Sequence, residues 1–202
     1  MPITRCEQAR TYLAAIRQRL KDGRVTHCVF VAEYFSSFAP GIGLDHDEAV
    51  TAGLLHDYCR DLSGEELLAE ARRLRLPLTD AQLQRPVLLH GHVAAVLCGE
   101  RFGLSEPVKE AIAWHTTGRP GLGALGQGLI VADFAEPGRK YPEAAVTREI
   151  LRKEGFRAAL LYVARQKVAF SRNKEYTDPN TAAFLFWLEK KDAEDHGGTG
   201  PL

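Results

Sequence analysis

The sequence predicts an all-α protein folded as a single helical bundle. Two observations carry this expectation. Helical periodicity dominates the apolar pattern, and no segment alternates cleanly with the period of two that a half-buried strand requires. A chain of 202 residues is also long enough for one full hydrophobic core and short for two.

Taken in order, the spacing predicts helices over 4–21, 24–38, 47–60, 64–75, 79–84, 87–102, 106–115, 123–136, 143–153, 156–171 and 179–191. Breakers fall between them: Pro40-Gly41 after the second, Pro77 after the fourth, Gly118 to Gly123 after the seventh and Pro137-Gly138 after the eighth. Asp45 with Glu48 reads as an N-cap and its capping-box partner, opening the third helix. Asp178-Pro179 reads as a cap and first-turn proline opening the last. Residues 1–191 are expected to form the domain. The tail DAEDHGGTGPL, residues 192–202, has little apolar content and is expected to fray.

Apolar residues make up 45% and charged residues 26%, the mix of an ordinary globular protein. Lys plus Arg (26) balances Asp plus Glu (26), so no global field draws the chain to nucleic acid or membrane. A polyanionic substrate then needs a local cluster of cations. Cys6, Cys28, Cys59 and Cys98 form no CxxC pair and lie in apolar helical stretches, so reduced structural thiols are expected. The start, MPITRCEQARTYL, lacks a basic region followed by an apolar run. No stretch approaches the roughly 18 apolar residues of a membrane span. A cytoplasmic protein is the expectation.

The chemistry starts in DHDEAVTAGLLHDYCRDL, which holds two His-Asp pairs. His46-Asp47 sits at a helix start, where carboxylates suit the positive end of the helix dipole, and reads as structural. His56-Asp57 closes the apolar run Ala52 to Leu55, and groups delivered by a buried helix need partners because unpaired buried charge is costly. Four more candidates follow. His27 lies among Val25, Cys28, Val29, Ala32 and Phe35; His90 ends Val87-Leu88-Leu89; His115 closes KEAIAWHTTG; Asp133 interrupts LIVADFA.

Each of these alone reads as a hydrogen-bonded core residue. Together, six nitrogen and oxygen donors at helix-interior positions favour a polar centre filled by metal. Four imidazoles and two carboxylates can serve two ions with one carboxylate bridging, and Asp57 is the natural bridge because it has two oxygens. The lack of a thiolate cluster argues against structural zinc. Residues 56 and 57 project about 100° apart on a helix, so one ion must lie between their directions. Arg60 and Asp61 fall one turn later, where Arg60 can meet a substrate phosphate and Asp61 can orient a ligand or water. A plain surface Arg-Asp pair is the competing reading.

The motifs RVTH, LLHDY, LLHGH, WHTTG and VADFAEPGR, in that order, resemble the YqeK family of HD-domain proteins, symmetrical diadenosine tetraphosphate hydrolases. The resemblance runs from about Gly23 to Trp187. It implies an HD-type helical bundle with a dinuclear centre, usually of iron. By analogy His27, His56, Asp57 and Asp133 hold the first ion, and Asp57, His90 and His115 the second. It also implies cleavage of a dinucleoside tetraphosphate at its middle anhydride, giving two nucleoside diphosphates. The chain departs from the family at His92, where proline is usual, in the glycine-rich stretch Gly121 to Gly128, and in the loosely matching Ala144 to Phe156.

Two ions roughly 3.5–4 Å apart can generate hydroxide at neutral pH and brace the attacking and leaving oxygens. The diphosphate departs as a stabilised anion, so the main task is neutralising charge on the phosphate oxygens. Arg24, Arg60, Arg119, Arg139 and Lys140 are the cations beside the motifs. Arg139 is the first choice because EPGRK can turn back over the site from the end of the Asp133 helix. Thr116, Thr117 and Gly118 form a polar turn after His115 that either binds phosphate or simply ends a helix.

Iron is the ion that the resemblance implies, and manganese, zinc, nickel or cobalt also suit these donors. Alternative readings keep the centre with a nucleoside monophosphate or another pyrophosphate-linked nucleotide, or make the chain a catalytically silent nucleotide-binding regulator. The sequence leaves open the oligomeric state, a homodimer included, and adenosine against guanosine preference.

Overall fold

In the computed structural model of the chain, which describes residues 7–172 and 178–197, eleven α-helices account for the expected pattern and no strand occurs among the described residues. They are α1 (Glu7–Arg17), α2 (Asp22–Phe38), α3 (His46–Leu55), α4 (Gly64–Arg73), α5 (Asp80–Gln84), α6 (His90–Phe102), α7 (Glu106–Trp114), α8 (Ala124–Ala135), α9 (Pro142–Lys153), α10 (Phe156–Arg172) and α11 (Pro179–Gly197). None of the described helices is long and apolar enough to cross a membrane.

Local chemistry sets the ends. The Asp45 carboxylate accepts from the N–H groups of Asp47 (2.9 Å) and Glu48 (2.8 Å) and opens α3. Reciprocal capping boxes open α4 (Ser63 with Glu66) and α5 (Thr79 with Gln82). Asp178 caps α11 by accepting the Asn180 N–H at 2.8 Å. That helix continues to Gly197, past its expected end at 191, and the rest of the tail lies outside the described residues, as does Cys6.

Of the further boundaries that differ from expectation, two shape the site. Helix α1 stops at Arg17 rather than 21, and α2 begins at Asp22. Helix α3 stops at Leu55 rather than 60; beyond it Tyr58 N–H bonds Leu55 O (3.0 Å) and Arg60 N–H bonds Asp57 O (2.8 Å), the tighter i→i+3 spacing. His56 and Asp57 therefore end a helix rather than lie inside one. Pro86 opens a 3-10 turn, Pro86–Leu89, so α6 starts at His90 rather than 87 and that residue is the first of the helix instead of lying within its first turn.

The core lies on both sides of α8. Leu125, Leu129 and Ala132 join the larger cluster with α1, α2, α3, α6 and α7, while Ile130 and Val131 join a second with α10 and α11. This is why ALGQGLIVADFA is apolar all round: the helix has no solvent face to spare. Asp133 is carried into the middle of the bundle by that helix.

Helices α2 and α3 touch closely at Gly53, where an added Cβ would lie 2.5 Å from Ala32 Cα and 2.7 Å from Ala32 N. Backbone cannot rotate aside. Gly53→Ala is expected to destabilise the fold by about 1–3 kcal/mol despite a helix-propensity gain of about 1 kcal/mol, because overpacking prevails. Urea unfolding measures this, and an unchanged midpoint would contradict the tight α2–α3 approach.

Candidate metal centre

Three helix ends and two helix interiors deliver the six donors to one place. His27 comes from α2 and Asp133 from α8; His56 caps α3 with Asp57 next to it, His90 opens α6, and His115 caps α7. All four histidines and Asp57 are buried. Close helix approach makes this possible at Gly91, where a Cβ would lie 2.7 Å from Ile112 O and 3.2 Å from His115 Cε1.

The imidazoles are oriented by the chain itself. His56, His90 and His115 each donate Nδ1–H to the carbonyl three residues earlier: Gly53 (2.8 Å), Val87 (2.6 Å) and Ile112 (2.8 Å). His27 Nδ1 faces Glu136 Oε1 at 3.2 Å. A neutral imidazole with its proton on Nδ1 has a bare lone pair on Nε2, and all four Nε2 atoms turn inward. His90 Nε2 and His115 Nε2 stand 3.0 Å apart, lone pair facing lone pair, and buried His56 Nε2 has no hydrogen-bond partner. Such a set is satisfied by a cation. It fits divalent metal.

The carboxylate of Asp57 divides its oxygens between two pairs of imidazoles. Its Oδ2 lies 3.6 Å from His56 Nε2 and 3.8 Å from His27 Nε2, and its Oδ1 lies 3.1 Å from His90 Nε2 and 3.7 Å from His115 Nε2. Asp133 Oδ1 sits on the first side, 3.1 Å from His27 Nε2 and 3.8 Å from His56 Nε2. Donor atoms within 4.8 Å of one another form three overlapping groups: His27-His56-Asp57, His56-His115-Asp133 and Asp57-His90-His115.

The HD domain family matches residues 24–147, a span that takes in all six donors. The chain belongs to the HD-domain family. It is 30% identical over 179 residues to a Bacillus subtilis protein named symmetrical bis(5'-nucleosyl)-tetraphosphatase, covering 87% of this chain and 95% of that one. A Staphylococcus aureus protein of the same name is 28% identical, over 80% of this chain and 84% of its own. A crystal structure from Clostridium acetobutylicum, described as a predicted HD superfamily hydrolase involved in NAD metabolism, superposes with a TM-score of 0.84 at 27% identity, covering 90% and 96% of the two chains. Within the family the chain is thus a YqeK-like HD hydrolase.

Each carboxylate of the HD centre has its own guanidinium. Arg24 Nη1 lies 2.9 Å from Asp57 Oδ2, and Arg139 Nη2 lies 2.7 Å from Asp133 Oδ1 and 3.3 Å from His27 Nε2. Burial alone would raise both carboxyls, but neighbouring imidazoles outweigh it and hold Asp57 and Asp133 well below the usual carboxylate range. Burial also works to lower His27, yet the hydrogen bond to Asp133 and its charge leave His27 raised. His56 and His115 are lowered, first by burial and in His115 also by the adjacent imidazoles. Neutral imidazoles beside ionised carboxylates are the protonation state a metal ion requires.

The other residues singled out in the sequence divide. Thr116 belongs to the centre, with Oγ1 3.1 Å from His115 Nε2 and 3.5 Å from His90 Nε2. Asp61 makes no ion pair with the four imidazoles among the described residues: it accepts the Lys21 N–H at 2.8 Å and lies 4.0 Å from Arg24 Nε. Nor does Arg60, half-buried, form an ion pair with either carboxylate of the centre among the described residues. Both follow from the tight turn after Leu55, which breaks the α-helical facing assumed for them.

The Gly118 N–H is bonded to Trp114 O at 2.8 Å, and with φ +68° and Phe184 beside it the residue closes the turn that follows α7. Arg119 pairs with Glu110 and lies over Trp114, on a groove lined by none of the six donors. Lys140 is exposed. His92 meets the Trp114 ring edge to face, centroids 4.7 Å apart. His46 and Asp47 are exposed and pair with each other.

Two residues went unseen in the sequence. Glu136, buried, holds His27; its only signal is its place three residues after Asp133 at the end of α8. Lys167 bonds the carbonyls of His115 (3.2 Å) and Thr116 (3.0 Å) from α10, and burial pushes its ammonium down. A pocket of about 640 Å³, lined by none of the six donors but reaching the centre through Thr116, also includes Thr117, Phe134, Tyr141, Lys167 and Phe170 in its lining.

Proposed function

We propose that this HD hydrolase cleaves dinucleoside tetraphosphates at the central anhydride, releasing two nucleoside diphosphates, with diadenosine tetraphosphate giving two ADP. The observation that carries the reading is the division of Asp57, one oxygen towards His27 and His56 and the other towards His90 and His115. That arrangement supports a two-ion site, with His27, His56, Asp57 and Asp133 on one side and Asp57, His90 and His115 on the other. The relatives named symmetrical bis(5'-nucleosyl)-tetraphosphatase support the substrate. When bound, two divalent ions, iron by resemblance, supply water activation and neutralisation of phosphate charge.

The chain's own groups do the rest. Arg24 and Arg139 stand at the rim with guanidinium N–H groups suited to phosphate oxygens. Thr116 Oγ1 can donate to an oxygen placed between His90 and His115. Phe134 and Tyr141, edge to face at 5.2 Å, offer the neighbouring pocket an aromatic wall for a nucleoside. Water oxygen bonds to one inner phosphorus and gives up a proton that passes to the leaving diphosphate or solvent, while the central P–O bond breaks and its electron pair leaves with the second diphosphate. The buried thiols Cys28, Cys59 and Cys98 suit a reducing compartment, consistent with a cytoplasmic enzyme.

Anaerobic metal loading followed by chromatography of the products of diadenosine tetraphosphate tests the reading. ADP alone is expected; ATP with AMP, or inorganic phosphate from a monophosphate, would replace it with another cut. Proton competition gives a further expectation. Because His27 titrates above 6.5, metal occupancy should weaken as pH falls through that raised value. In metal-free protein the same group acts in the opposite sense: its stabilisation is present below 6.5 and is lost as pH rises through the raised value. Metal content measured from about pH 8 to 5.5 reads the first effect, and a flat profile would remove His27 from the ligand set.

A further inference from the structure

We propose that Lys167 and Thr117 form a seat for the phosphate that joins the nucleoside to the rest of the substrate, one residue away from the HD centre. The proposal rests on the nucleotide reading above and deepens it by naming what sets the position of the cut.

Lys167 Nζ gives two of its three N–H groups to the carbonyls of His115 and Thr116. Among the described residues no carboxylate lies within 4.0 Å of it. Carbonyls satisfy hydrogen bonds, and Asp133 acts on the charge only from beyond 4.0 Å, so no anion is in direct contact with it among the described residues. Thr117 Oγ1 is buried and has no hydrogen-bond partner among the described residues. Both residues line the same pocket, beside Phe134 and Tyr141. Of the acidic groups there, Asp178 is engaged by the backbone and side-chain nitrogens of Asn180 at 2.8 and 2.9 Å, and Glu143 lies in the first turn of α9. An unpaired ammonium beside an unsatisfied hydroxyl suits a phosphate, to which a charge-assisted bond is strong.

Thr116 ties this seat to the centre. Its Oγ1 is 3.1 Å from His115 Nε2, and its carbonyl is 3.0 Å from Lys167 Nζ. A phosphate on Lys167 therefore has its neighbour in the chain beside the imidazoles. With the nucleoside against Phe134 and Tyr141, the first phosphate occupies the Lys167 seat and the second reaches the centre. The bond presented for cleavage is then the one after the second phosphate. Lys167 measures the chain, and a diphosphate is the product that fits.

Capping of the last carbonyls of α7 is the structural alternative for Lys167, and binding measurements separate the two. Full-length, metal-loaded protein and its Lys167→Met, Lys167→Arg and Thr117→Val variants are titrated with ADP and with adenosine, and melted thermally. Lys167→Met is expected to weaken ADP at least about tenfold with adenosine affinity unchanged, as loss of a charge-assisted bond requires. Lys167→Arg should stay within about threefold for ADP because charge is retained. Thr117→Val should weaken ADP by about threefold, in the range of one neutral hydrogen bond.

Equal loss of ADP and adenosine binding, or loss of neither, overturns the seat. If Lys167→Met fails to fold, Thr117→Val decides alone, and unchanged ADP affinity in that variant overturns it. ADP is a binding probe here, so the comparison stands even if tetraphosphate hydrolysis is absent; that absence rejects the proposed function and leaves the seat intact.

Discussion

Asp57→Ala is expected to reduce turnover by at least about 10³-fold, beyond the roughly 10–100-fold cost of losing a group that only orients a ligand. The variant removes the one carboxylate with an oxygen on each side of the imidazole cluster. Metal content should fall in parallel, because neither side keeps a full set of donors. Helical content should persist, since Asp57 sits in the turn after α3 and not in the ladder of any helix. Metal analysis, circular dichroism and turnover on the same preparation read all three. Full activity in a metal-free Asp57→Ala protein would refute the assignment, while loss of helix would make the effect one of folding.

Arg139→Ala should lower kcat/KM by about 10²–10³-fold, the scale of losing one preorganised charge-stabilising donor. Arg139 reaches the centre from the turn after α8, held by Nε to the Asp133 carbonyl at 3.0 Å, and its Nη2 lies between Asp133 and His27. It is half-buried, so its field is only partly screened by water. A phosphate-binding role predicts near-normal metal content and a poor rescue by Arg139→Lys, which keeps charge without the planar fork. If metal is lost together with activity, Arg139 acts by holding Asp133, and the phosphate role falls to Arg24.

The helices were readable because their signals are local. Asp45, Asp178-Pro179 and the apolar run of α8 each act over a few residues. That these six residues gather was readable for a related reason: a polar group inside an apolar helical stretch must be satisfied, and six of them in one chain leave few ways to do it. Arg60 and Asp61 went astray because their facing was extrapolated along a helix that ends at Leu55. Arg119 and Lys140 went astray because nearness in sequence to a motif does not place a side chain. Lys167 was invisible, since it reaches His115 across 52 residues and looks like any cation on an amphipathic helix.

The sequence by itself determined an all-α bundle, because periodicity and caps are properties of short segments, and its ordered motifs carried the resemblance to the HD family. Only the tertiary structure decided which donors face one another. The two-sided geometry of Asp57, the guanidinium on each carboxylate and the pocket closed by α10 depend on helix contacts such as Gly53 on Ala32 and Gly91 on α7. Those contacts join residues far apart in the chain, and close packing rather than local propensity selects them.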